Sequence, residues 1–95
     1  MKDFLLRRIA EIEKIATESG WVLIDHQDNI NMLSFLKDRS RINVYYTKMT
    51  VTTCINHPTK GRTQLFRRGV NIEELKKIFK TPRLHTKKGY YYKNV

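Results

Sequence analysis

The sequence predicts a single α+β domain: a small antiparallel sheet of three or four strands, with an N-terminal and a C-terminal helix packed on one face. Three observations carry that expectation. Apolar residues recur at helical spacing near both ends of the chain, they alternate with period two between residues 32 and 68, and 95 residues suffice for one modest core. With 40% of residues apolar and 11% aromatic, the composition is that of an ordinary globular chain.

The first helix is expected over residues 1–20. Asp3 is a capping residue, Leu5, Ile9, Ile12 and Ala16 form one stripe, and Gly20 stands where a left-handed residue ends a helix. Trp21-Val22-Leu23-Ile24 then reads either as an edge strand or as an extended connection that packs Trp21 into the core. The polar stretch from Asp25 to Asn31, turning at Asp28-Asn29, ends it. Met32 to Leu36 and Arg41 to Tyr46 form a hairpin about Asp38-Arg39-Ser40, with Ile42, Val44 and Tyr46 on one face. Thr47-Lys48 makes a second tight connection into a strand from Met49 to Ile55. There Met49, Val51, Thr53 and Ile55 alternate with Thr50, Thr52 and Cys54, and β-branched threonines fit a pleated surface better than a helical turn.

Pro58 and Gly61 mark residues 56–61 as a loop, and Arg62 to Arg68 follows as the last strand, its basic and polar side chains expected opposite Leu65. The strands thus fill residues 21–68. A second helix is expected over 71–80, where Asn71 and Glu74 stand at capping-box spacing and Val70 and Leu75 at staple spacing. Ile72, Leu75, Ile78 and Phe79 form its stripe, and Thr81-Pro82 stops it. Residues 81–95 are a basic aromatic tail in which Lys87, Lys88 and Lys93 accompany Tyr90, Tyr91 and Tyr92; the rings favour a docked extension over a free arm.

Charge is spread unevenly along this chain. Met1 to Leu36 holds four Lys/Arg against six acids, whereas Lys37 to Val95 holds fifteen against three, so a net charge of +10 is built from about −2 and +12. A positive field confined to one part of a small domain favours a polyanion, because each phosphate neutralised releases condensed counterions. Nucleic acid, DNA or RNA, is the expected partner. Lys60, Arg62, Arg67 and Arg68, with His57 and Gln64 beside them, offer ammonium charges, guanidinium forks and a base-reading amide within one loop and strand, and Lys48 adds a further cation. In the tail, Arg83, His85, Lys87, Lys88 and Tyr90 combine cations with rings that suit single strands. The rival is a small regulatory module, of phage or host type, docking on an acidic partner protein.

No catalytic role is expected, and no cofactor or metal. His26, His57 and His85 lack a short ligand spacing, no Ser or Cys lies in a nucleophile motif, and the acids cluster in the N-terminal third. The single cysteine, Cys54, excludes an internal disulfide and is expected as a small buried residue in a strand. The chain carries no apolar run long enough to span a bilayer and no signal-like N-terminus, so no membrane partner is expected and the expected location is cytoplasmic, nuclear, or the host cytoplasm if the source is viral.

The order helix, strands, helix over Asp3 to Lys80 resembles the topology of a double-stranded-RNA-binding domain. That family contacts phosphates from a lysine-rich start of its second helix, where this chain has Asn71-Ile72-Glu73-Glu74. Asn43-Val44-Tyr45, Thr50-Val51, His57-Pro58, Gly61, Thr63-Gln64-Leu65-Phe66-Arg67-Arg68, Pro82-Arg83, His85-Thr86 and Lys88-Gly89-Tyr90 look like an uncharacterised module of plant, viral and bacterial proteins with an H-P-x-x-G-x-T-Q-L-F-R-R motif. That resemblance implies no activity; it points to the same positions as the site.

Overall fold

The computed structural model describes residues 3–57, 61–82 and 89–93, and the side chains of 3–54 and 65–82. Helix α1 (Asp3–Glu18) leads into strand β1 (Val22–Gln27), followed by β2 (Met32–Lys37), β3 (Ser40–Tyr45), β4 (Thr50–His57), β5 (Gly61–Arg67), helix α2 (Ile72–Lys80) and β6 (Gly89–Lys93). All six strands lie in one antiparallel sheet in chain order, β1-β2-β3-β4-β5-β6. The α+β expectation holds, and the strand count is higher than the three or four expected. Two segments account for the excess. The stretch after Trp21 continues as an edge strand through Asp25, His26 and Gln27, and part of the tail pairs with β5, Gly89 opposite Arg67 and Lys93 opposite Thr63.

Local chemistry explains the helix ends. Gly20, at φ +84°, turns the chain so that the Trp21 amide reaches the Ala16 carbonyl at 2.9 Å and the Gly20 amide reaches Thr17 at 3.0 Å, the two bonds of a Schellman cap. At α2, the Asn71 side chain accepts from the Glu74 amide at 2.8 Å while Glu74 Oε1 accepts from the Asn71 amide at 3.3 Å, so the capping box is closed.

Register decides the two faces. Leu33, Val44, Val51 and Arg67 form one row across β2 to β5, and Phe35, Ile42, Thr53 and Leu65 the next; all eight side chains are buried. Ile9, Ile12, Ile15 and Ala16 of α1 and Leu75, Ile78 and Phe79 of α2 complete that core. Trp21 closes one end of it. Its ring meets Phe79 edge-on at 5.7 Å, its Nε1–H donates to the Phe79 carbonyl at 2.8 Å, and Phe79 meets Phe35 at 5.3 Å. His26 joins the core edge, with Nε2 placed 2.9 Å from Asp28 Oδ1 and 3.1 Å from the buried Tyr46 hydroxyl. Burial first, and the Asp28 carboxylate second, push the Tyr46 phenol above its ordinary value.

Among the described residues no helix covers the other face. Across it run Gln27, Met32, Tyr45 and Thr50; then Asp25, Ser34, Asn43, Thr52 and Phe66; then Leu36, Arg41 and Cys54. Cys54 is thus half-buried on this face rather than in the core. No helix among the described residues is long and apolar enough to cross a membrane.

Candidate functional site

The uncovered face holds a cleft of about 730 Å³ at the end of the sheet where β3 turns into β4. Its origin is a difference in side-chain size. Thr50 and Thr52, short residues of β4, lie between Tyr45 on β3, which pairs with Thr50, and Phe66 on β5, which pairs with Thr52, so the two ring-bearing residues stand diagonally across β4, two strands and one register row apart. The threonines make the floor and the rings the sides. Lys48 and Thr47 from the β3–β4 turn, Arg68 just after β5, and Ile30 and Asn31 from the 3₁₀ turn before β2 complete the rim. Lys48 and Arg68 are exposed, and Tyr45 and Phe66 are half-buried.

The rim is held from behind. Arg8 of α1 reaches past the sheet end so that its Nη1 donates to the Tyr46 carbonyl at 2.8 Å and the Thr47 carbonyl at 3.3 Å. The Tyr46 amide donates to the Asn31 carbonyl at 3.0 Å, and the Val70 amide donates to the Met49 carbonyl at 3.0 Å. These bonds fix the turn bearing Lys48 to the first helix, to the turn before β2 and to the start of α2. Met49 takes φ +54°, a left-handed conformation that costs a non-glycine residue of order 1–3 kcal/mol and persists only where its surroundings determine it.

At the floor, Thr52 is 2% exposed and its Oγ1 has no hydrogen-bond partner. Beside it, Asn43 belongs to a closed network. Ser34 Oγ donates to Asn43 Oδ1 at 2.7 Å, Arg41 Nε donates to the same oxygen at 3.2 Å, and Arg41 Nη2 donates to Ser34 Oγ at 3.2 Å. The Arg41 guanidinium is thereby laid along the open face, one register row from the cleft floor.

The expected site residues part company here. Lys48 and Arg68 come together at the cleft. Arg67, expected among the phosphate contacts and on the face opposite Leu65, is corrected on both counts. Strand alternation puts Arg67 on the same face as Leu65, it is 0% exposed, and its guanidinium donates to Thr53 Oγ1 at 2.7 Å and to the Pro82 carbonyl at 2.8 Å. It ties β5 to β4 and to the segment after α2, and it cannot reach a ligand. The backbones of His57, Arg62, Gln64 and Tyr90 are placed: His57 opposite Gly61, Arg62 opposite Asn56, Gln64 opposite Cys54 and Tyr92, and Tyr90 opposite Phe66. Their side chains, and Lys60, Arg83, His85, Lys87 and Lys88 altogether, lie outside the described residues.

Tyr45, Phe66, Thr50, Thr52, Asn31 and Arg41 were not singled out from the sequence. The signal available for four of them was parity: if Ile42, Val44 and Tyr46 lie on the core face, then Arg41 and Tyr45 lie on the other, and the same reasoning puts Thr50 and Thr52 on that other face. Among the described residues no group of three or more His, Cys, Asp or Glu is placed to hold a metal ion. No protein-family model, curated protein or solved structure matches the chain.

Proposed function

We propose that this protein binds nucleic acid without acting on it chemically, and that the cleft on the uncovered sheet face is the centre of the contact surface. One observation carries the reading: two exposed cations, Lys48 and Arg68, stand at the rim of a cleft walled by Tyr45 and Phe66. Cations that follow a phosphate backbone beside rings that accept base faces are the paired requirement of nucleic-acid binding, and the net charge of +10 supplies the long-range attraction.

The test is fluorescence anisotropy with labelled oligonucleotides over a range of salt. Binding should weaken steeply with salt, and Lys48→Ala and Arg68→Ala should each lower the slope by roughly one unit without moving the thermal melt. Affinity and slope unchanged in both variants would remove the cleft from the site.

A second reading, a small module that docks on a partner protein, is favoured by the apolar edge at β1, where Val22 is 64% exposed and Leu23, Ile24 and the neighbouring Leu36 are also open. Competition separates the two. Heparin or bulk DNA displaces a polyanion-binding surface and leaves an apolar strand contact in place.

A further inference from the structure

We infer that the cleft takes one unstacked base of a single-stranded nucleic acid, with its phosphates on the rim cations; this rests on the nucleic-acid reading and names the strand type it serves. The first argument is shape. A cleft of about 730 Å³ lies within the range of roughly 300–1,000 Å³ usual for small-ligand sites, and its walls are the rings of Tyr45 and Phe66. A base inside a duplex is stacked on both sides and cannot present its face to a ring recessed in a cleft. A base in a single strand can swing out and do so.

The second argument is the floor. Thr52 Oγ1 is buried without a hydrogen-bond partner, on a residue that is only 2% exposed. Buried polar atoms are nearly always paired, since leaving one unpaired forfeits its interaction with water and gains nothing in return. A hydroxyl both donates and accepts, so rotation of its hydrogen about the Cβ–Oγ1 bond lets Thr52 meet either kind of atom on a base edge. That matches a site that recognises the presence of a base more than its identity.

The third argument is fixity. Arg8, Asn31 and Val70 clamp the β3–β4 turn through backbone atoms, so Lys48 is held at the rim before any ligand arrives and little ordering remains to oppose binding. Lys48, from the β3–β4 turn, and Arg68, just after β5, both line the cleft and offer two separate cations to the phosphates that flank the inserted base.

The test uses the intact chain and three labelled probes: a short oligothymidine, the same strand annealed to its complement, and the same strand with abasic sites at its centre. The oligothymidine should bind at least about tenfold more tightly than the abasic strand, the size of one lost base stack, and more tightly than the duplex. Thr52→Val keeps the shape of the floor and removes the hydroxyl. It should weaken oligothymidine binding by roughly three- to tenfold and leave the abasic strand unaffected. Equal, salt-sensitive binding of all three probes would overturn the base pocket while leaving phosphate binding standing. No binding to any probe would overturn the nucleic-acid reading and this inference together. Because the abasic comparison is made on the unaltered protein, it decides the matter even if the Thr52 variant folds poorly.

Discussion

Two neighbouring arginines at the end of β5, Arg67 in the strand and Arg68 just after it, should respond to substitution differently, and the larger effect can be worked from the structure. Arg67 is fully buried and donates from two guanidinium nitrogens, to Thr53 Oγ1 at 2.7 Å and to the Pro82 carbonyl at 2.8 Å. Arg67→Met keeps most of the volume and removes both donors. Hydrogen bonds from a charged group are worth about 1.5–3 kcal/mol each, and the cost of burying the guanidinium offsets part of that, which leaves a net loss of about 2–4 kcal/mol. For a domain of this size each kcal/mol moves the midpoint by about 4–8 °C, so the variant should melt roughly 10–25 °C lower. Arg68→Ala, at an exposed position, should fall within about 0.5 kcal/mol of the parent. Thermal unfolding followed by circular dichroism, with both variants measured in the same buffer, reads the contrast directly. A melt for Arg67→Met within two or three degrees of the parent, in the range of about ±0.5 kcal/mol typical of surface changes, would refute the structural role given to this arginine.

Other outcomes follow from single contacts. Asn71→Ala opens the capping box of α2 and should cost about 0.5–2 kcal/mol in chemical denaturation, with ligand affinity per folded molecule unchanged. Trp21→Phe keeps a ring against Phe79 but orphans the Phe79 carbonyl, so it should destabilise by about 1–3 kcal/mol, read by calorimetry because the only tryptophan is gone. Tyr46 gives a pH signature. Its phenol holds its proton more tightly folded than unfolded, so its contribution is complete below the ordinary value of 10.0 and is lost as pH rises above it; Tyr46→Phe should remove that share of the alkaline fall in melting temperature.

Much of this fold is legible in the residues because local chemistry and tertiary packing agree. The spacing of Asn71 and Glu74, the stripe of Leu75, Ile78 and Phe79, and the alternation from Arg41 to Thr53 each specify their element without help from elsewhere. The two extra strands were less visible because edge strands present polar residues to water and depend on a partner for their backbone bonds. Asp25-His26-Gln27 looks like a turn until β2 is alongside it. The cleft was hidden for a related reason. Alternation says which side of a strand a residue takes, but only register sets Thr52 beside Phe66 and Thr50 beside Tyr45, and register is a property of two strands at once. Arg67 illustrates the converse: a basic residue in a basic run reads as surface, and the partners that accept its burial lie 14 and 15 residues away in sequence.

The order of the sheet also bears on how the chain assembles. From β1 to β5 each strand pairs with the one just made, and between His57 and Gly61, the last pair of β4 and β5, only three residues intervene. Between Arg67 and Gly89, which open the β5–β6 ladder, there are 21, α2 among them. Closing the longer loop costs about 1.7 kcal/mol more than the shorter one, so β6 is the strand to join last and to peel away first. Until it joins, β5 is a bare edge, and a β6 from another molecule can pair with it in the same register as its own. Concentrated refolding would therefore favour dimers that exchange their last strand, each exchanged β6 forming with the other molecule's β5 the ladder that it makes at home.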